Sequence, residues 1–141
     1  MRQEQEGEQL GAVKVALPCA VFLLSVAGLL MLEWLLAGGF GFTFDDSWIF
    51  AQYARNLAEG HGFCFNIGEP SNGFTSFLWL LLVALGYKLT GGFVVPMKVM
   101  GVAFGLGSVI LAALLLRELT EDEGQQQMGI WMVALCAPLV S

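Results

Sequence analysis

Apolar positions fall in four blocks along the 141-residue chain, separated by shorter stretches that hold most of its charge. From Val15 to Leu32 there is no charged residue, and with Glu33 as the one interruption the run continues to Phe44. At about 1.5 Å per residue that is enough helix to cross a hydrocarbon core of roughly 30 Å, and it predicts a membrane span over residues 15–40. The run is too long for the core of an export signal. Residues 1–14 set Arg2 and Lys14 against Glu4, Glu6 and Glu8, so the basic leader of such a signal is missing, and they read as a cytosolic tail. A second span is expected over residues 71–90, with Trp79 inside and Tyr87 and Lys88 at its end, where an amphipathic ring and a snorkelling amine suit the interface. A third is expected over residues 96–117, with Pro96 at a helix start that needs no N–H from it. The fourth block opens at Met128, and to Ser141 it would make about 21 Å of helix, short of a bilayer. The expectation is therefore an N-terminal piece, a fragment or one half of a split protein, completed by further helices of a longer chain or by a complementary subunit.

A different period occupies the first loop, residues 41–70. Ile49, Tyr53 and Leu57 recur every four residues with Phe50 and Ala54 beside them, and Gln52, Arg55, Asn56 and Glu59 fall on the opposite face. This predicts an amphipathic helix over residues 46–59 lying in the membrane interface. Asp46 or Ser47 would cap its start, and Gly60 would supply the left-handed stop. His61 to Phe74 is then dense in Gly, Asn and aromatic residues. Gly and Asn permit tight turns, the aromatics hold the loop to the bilayer surface, and an ordered loop of this length is often functional.

Composition agrees with a membrane protein: 57% of residues are hydrophobic and 13% charged, about half the charge of a soluble domain. The fold class expected is all-α, a polytopic bundle of transmembrane helices with an interfacial helix in its first outer loop. A cytosolic tail would place Arg2, Lys14, Lys88 and Lys98 inside and Arg55 and Arg117 outside, a bias that puts the first loop and the acidic turn at residues 118–127 on the extracytoplasmic face of the cytoplasmic membrane. The net charge of −6 comes mostly from these loops and the tail, and without a basic patch nucleic acid is not a partner. Cys19 and Cys136 lie in apolar blocks and Cys64 in the loop, with no metal-binding spacing. His61 and Cys64 make an H-x-x-C pair, two ligands short of a zinc site. Gly101, Gly105 and Gly107 form a small-residue stripe suited to close helix packing.

The chemistry-bearing feature is Asp45-Asp46, where the first span gives way to the loop. Two carboxylates at the mouth of a membrane helix are costly unless they face water, a metal or a substrate. A helix start favours the ionised form and a second carboxylate opposes it. That tension suits a metal ligand or a general base.

The stretch FDDSWIFAQYARNLAEGHGFCFNIGEPSNGFTSFLWLLL, residues 44–82, resembles the first extracytoplasmic loop and second helix of the GT-C glycosyltransferases. It is most similar to the branch of arabinofuranosyl- and mannosyltransferase-like enzymes that use polyprenyl-phosphate sugars, with a pattern D-D-A-x-I-x-x-R-Y-A-x-N-L-x-x-G-x-G-x-x-x-N-P-G-E-x-x-E-G-Y-T-x-x-L-W. Gln52 stands where that pattern has Arg, Ile67 where it has Pro, and Asn72 and Phe74 flank Gly73 in place of Glu and Tyr. The resemblance implies an inverting transfer of a sugar from a polyprenyl phosphate to a glycan, lipid or protein acceptor. Asp45 would be the catalytic base or a metal-coordinating residue, with Asp46 as its partner and Mg or Mn as an optional divalent cation. Arg55 replaces the cation missing at Gln52, and with His61 it is the candidate contact for donor phosphate. The rival reading is a non-enzymatic accessory protein whose acidic outer loop binds a partner.

Overall fold

The computed structural model describes residues 2–42 and 45–136, with side chains from Val13 to Phe42 and from Asp46 to Cys136. The catalytic expectation for the Asp45 side chain, the acidic side chains of the tail and the last residues of the fourth block lie outside these. Among the described residues there are five helices and no strand: α1 (Arg2–Ala37), α2 (Asp45–Ala58), α3 (Phe77–Thr90), α4 (Val94–Leu119) and α5 (Glu123–Cys136). Two compact units divide the chain, one of Met1–Leu36 with Gly101–Ser141, the other of Ala37–Met100.

Two helices are long and apolar enough to cross a membrane, Val13–Ala37 with 25 residues and Val94–Leu119 with 26. The first is the apolar part of α1, which begins at Arg2 rather than after a separate tail. Pro18 sits inside α1, where it cannot donate to the carbonyl four residues back, and it is fully buried. Gly38 stops the helix with φ 70°, a conformation that costs a side chain dearly.

In the first unit, Phe22 and Val26 of α1 pack with Val109 and Ala113 of α4 and with Ile130 and Ala134 of α5. Small residues allow the approach. A methyl group on Gly105 would lie 2.9 Å from Cε2 of Phe22, and one on Gly129 would lie 2.6 Å from Cδ1 of Leu116. Direction follows from two contacts. Phe22 meets Gly105, and eight residues nearer the N-terminus Lys14 Nζ lies 2.8 Å from Glu123 Oε2. α1 and α4 are therefore antiparallel, and Lys14 shares one end of the bundle with the turn into α5. This corrects the expectation that Lys14 and the acidic turn lie on opposite faces; counting cations cannot register an ion pair between them. The pair marks position more than it stabilises, because Glu123 is largely exposed. The turn is also shorter than residues 118–127. Asp122 Oδ1 accepts from the N–H groups of Gly124 and Gln125 at 2.8 and 3.1 Å and caps α5.

In the second unit, Ala51, Tyr53 and Ala54 of α2 are buried with Leu80, Val83 and Ala84 of α3 and with Phe93 and Met97 around the start of α4. The apolar face of α2 is thus covered by protein, which corrects its placement against lipid. α2 begins at Asp45, so Asp46 and Ser47 lie in its first turn instead of capping it. α3 is 14 residues, about 21 Å, and starts at Phe77 instead of residue 71. Ser76 caps it, its Oγ accepting from Trp79 N–H, and Gly91 closes it with φ 75°.

Gly105→Ala should lower stability in detergent by about 1–3 kcal/mol, because the buried ring of Phe22 has no room to retreat. Gly107, which meets nothing within 4 Å, should accept Ala with no loss. Thermal unfolding of the two variants side by side checks this; equal midpoints would contradict the packing.

Candidate functional site

The loop between α2 and α3 is built on the side of α2 that looks polar in sequence. Asn56 is 2% exposed, and its Nδ2 donates to the carbonyls of Cys64 and Phe65, both at 2.9 Å. Its own carbonyl accepts from His61 N–H at 2.8 Å. One turn earlier, Gln52 Nε2 donates to the same Phe65 carbonyl at 3.2 Å. An extended loop strand has carbonyls to satisfy, and a carboxamide has the two donors that match them.

Tyr53 holds the other side of the loop. Its hydroxyl accepts from Gly73 N–H at 2.9 Å and shares a hydrogen with Ser71 Oγ at 2.8 Å. Ser71 Oγ in turn accepts from Phe65 N–H at 3.2 Å. A Cβ on Gly73 would lie 2.7 Å from the Tyr53 hydroxyl oxygen, so a side chain at residue 73 would displace the bond. This network, with Ser71 N–H on the Phe63 carbonyl, draws residues 71–73 into the loop and delays the start of α3. Between the two anchors the chain reverses at Gly68, with φ 90°, and Asn66 donates to Glu69 Oε2 at 3.2 Å. Gln52 and Asn56, expected on a solvated face, are instead the loop's anchors. The signal that could have identified them is a pair of amide side chains one turn apart, followed by a Gly-rich segment with few partners of its own.

At the N-terminal end of α2, Asp46 is exposed and makes no hydrogen bond or ion pair among the described residues. Beside it Trp48 is half exposed, its ring edge-on to Phe42 at 4.9 Å. Asp45 opens the helix, and its side chain is outside the described residues.

Arg55 and His61 stand at the other end of α2. The Arg55 guanidinium lies over the ring of Phe93, 5.5 Å from its centroid, and Phe93 stacks on Tyr87 at 4.4 Å. Tyr87 Oη donates to Glu59 Oε1 at 3.0 Å, and Glu59 Oε2 is 3.8 Å from His61 Nε2. The structure thus brings Arg55 and His61 into one cluster with Glu59, Tyr87 and Phe93. It does not bring them to Asp46, since nine residues of helix put Arg55 about 13.5 Å further along the axis. Among the described residues no three His, Cys, Asp or Glu side chains converge, so a cation held by Asp45 and Asp46 would need ligands from elsewhere.

Comparison with known protein families, characterised proteins and solved structures finds no match to this chain.

Asn56→Ala leaves the carbonyls of Cys64 and Phe65 short of a donor and should cost about 1–3 kcal/mol, with faster proteolytic cutting within residues 61–72. Asn56→Asp, which turns a donor into a charge facing two carbonyls, should cost at least as much. Wild-type resistance to cutting in both variants would contradict the anchoring role.

Proposed function

We propose that this chain is the N-terminal part of a polytopic membrane glycosyltransferase that moves a sugar from a polyprenyl phosphate to a glycan, lipid or protein acceptor on the extracytoplasmic face. The observation that carries the reading is the contrast within residues 44–82. Tyr53, Asn56 and Gly73 of that stretch are consumed in holding loop to helix, whereas Asp46 is exposed and engaged by nothing among the described residues. A carboxylate at a helix start, engaged by nothing among the described residues, is available for chemistry.

In the proposed reaction an acceptor hydroxyl attacks the anomeric carbon and passes its proton to the Asp45 carboxylate. The bond from that carbon to the phosphate oxygen breaks, and the electron pair leaves with the polyprenyl phosphate. Attack opposite the leaving group inverts the configuration. Asp46 assists as partner or as a ligand to a divalent cation, which would neutralise the departing phosphate. Arg55 and His61, at the far end of α2, are assigned to the Glu59–Tyr87–Phe93 cluster rather than to the same phosphate.

The test is sugar transfer in membranes by this chain together with the further helices that the proposal assigns to it, with a panel of polyprenyl-phosphate sugars and the variants Asp45→Asn and Asp46→Asn. Transfer should fall by about a hundredfold or more in Asp45→Asn while insertion is unchanged. Transfer that survives both substitutions would overturn the catalytic role of the carboxylates, and no transfer of any sugar by the unsubstituted protein would bring forward the accessory-protein reading.

A further inference from the structure

The contact between Lys14 and Glu123 has a consequence for the segment that joins α1 to α4. Antiparallel α1 and α4 start and finish at shared ends: the end of α1 that holds Lys14 is the end at which α4 finishes, close before Glu123. If both cross the bilayer, chain connectivity puts Gly38 and Val94 on one face. Everything between them must then cross the membrane an even number of times. Among the described residues α3 is the single apolar helix in that interval, and a lone crossing by α3 is ruled out by parity. Its length agrees, since 14 residues make about 21 Å against a core of roughly 30 Å.

α3 nonetheless has an apolar side that no protein covers among the described residues. Leu80, Val83 and Ala84 face α2, while Phe77, Leu78, Leu81, Leu85 and Leu89 are exposed, repeating at three- and four-residue intervals along the other side. Phe63 and Phe77 are in ring contact at 5.6 Å, and Phe63 is itself partly exposed, so the loop extends the same surface. At its far end α3 is followed by three residues, Gly91 to Phe93, and then by α4, which is long enough to enter the bilayer.

From this we infer that α3 does not span the membrane but lies along its surface, with Phe77, Leu78, Leu81, Leu85 and Leu89 seated in lipid and α2 held above it. The occupant of the exposed face is the acyl and headgroup boundary of the leaflet that α4 enters. α3 thereby takes the interfacial place that the sequence pattern assigned to α2. The six cations then divide evenly, Arg2, Lys14 and Arg117 on one face and Arg55, Lys88 and Lys98 on the other, so charge bias no longer orients the chain. The inference holds whether or not the chain transfers sugar.

The test uses the full chain in sealed membrane vesicles, with its own cysteines replaced and single cysteines introduced by Asn72→Cys and Lys88→Cys, exposed residues before and near the end of α3. A membrane-impermeant maleimide should label both from the same side. Labelling from opposite sides would overturn the inference. A nitroxide attached through Leu85→Cys should report a depth near the headgroups. A depth at the bilayer centre would again mean a span, and a signal from water or from a protein-covered site would overturn the assignment of lipid as occupant.

Discussion

The fold of residues 37–100 depends on one carboxamide. Asn56 is buried, and its two N–H donors serve two successive loop carbonyls, Cys64 and Phe65. Each such bond contributes about 1 kcal/mol net, but a buried amide or carbonyl left unpaired costs more than the bond contributes. The constraint is therefore stronger in the negative: a path of the loop that left Asn56 and these carbonyls unpaired would be penalised. Gln52 and Tyr53 extend the same device, so that a loop with little regular structure is tied to α2 at Phe65, Ser71 and Gly73.

That arrangement explains how a loop rich in Gly can keep its shape. Its entropy is opposed by side chains of an already formed helix, whose rotamers are limited by burial. It also separates the two ends of α2. The C-terminal end is closed by the stacked Phe93 and Tyr87, with Arg55 above and Glu59 and His61 beside. At the N-terminal end Asp46 is exposed and Trp48 is half exposed. In the proposed function, the anchored half of α2 holds the helix in place, and the exposed Asp46 at its start is within reach of substrate.

Much of the helix pattern was legible in the sequence, because uncharged runs and a four-residue period respond to elementary constraints. The periodicity of Ile49, Tyr53 and Leu57 marks a helix that the structure places at Asp45–Ala58, and the long runs mark the two helices of membrane-crossing length. What was illegible depended on tertiary partners. Gln52 and Asn56 look solvated until the loop returns over them, and the second apolar block looks helical from residue 71 until Ser71 and Gly73 are found bound to Tyr53. The relation of Lys14 to Glu123 needs the direction of α4, which no local pattern carries. For the candidate site, the residue types are readable in Asp45-Asp46, but their distance from Arg55 and His61 is set by the helix axis that runs between them.

The central claim is that loop and helix in residues 45–76 are one cooperative unit, tied through Gln52, Tyr53 and Asn56. Residue-resolved amide hydrogen exchange in lipid nanodiscs tests it most directly. The account predicts that the amides of Phe65, Ser71 and Gly73 are protected and open together with those in the middle of α2. Rapid exchange of these three amides while α2 remains protected would mean that the loop is not held by Asn56 and Tyr53, and would contradict it.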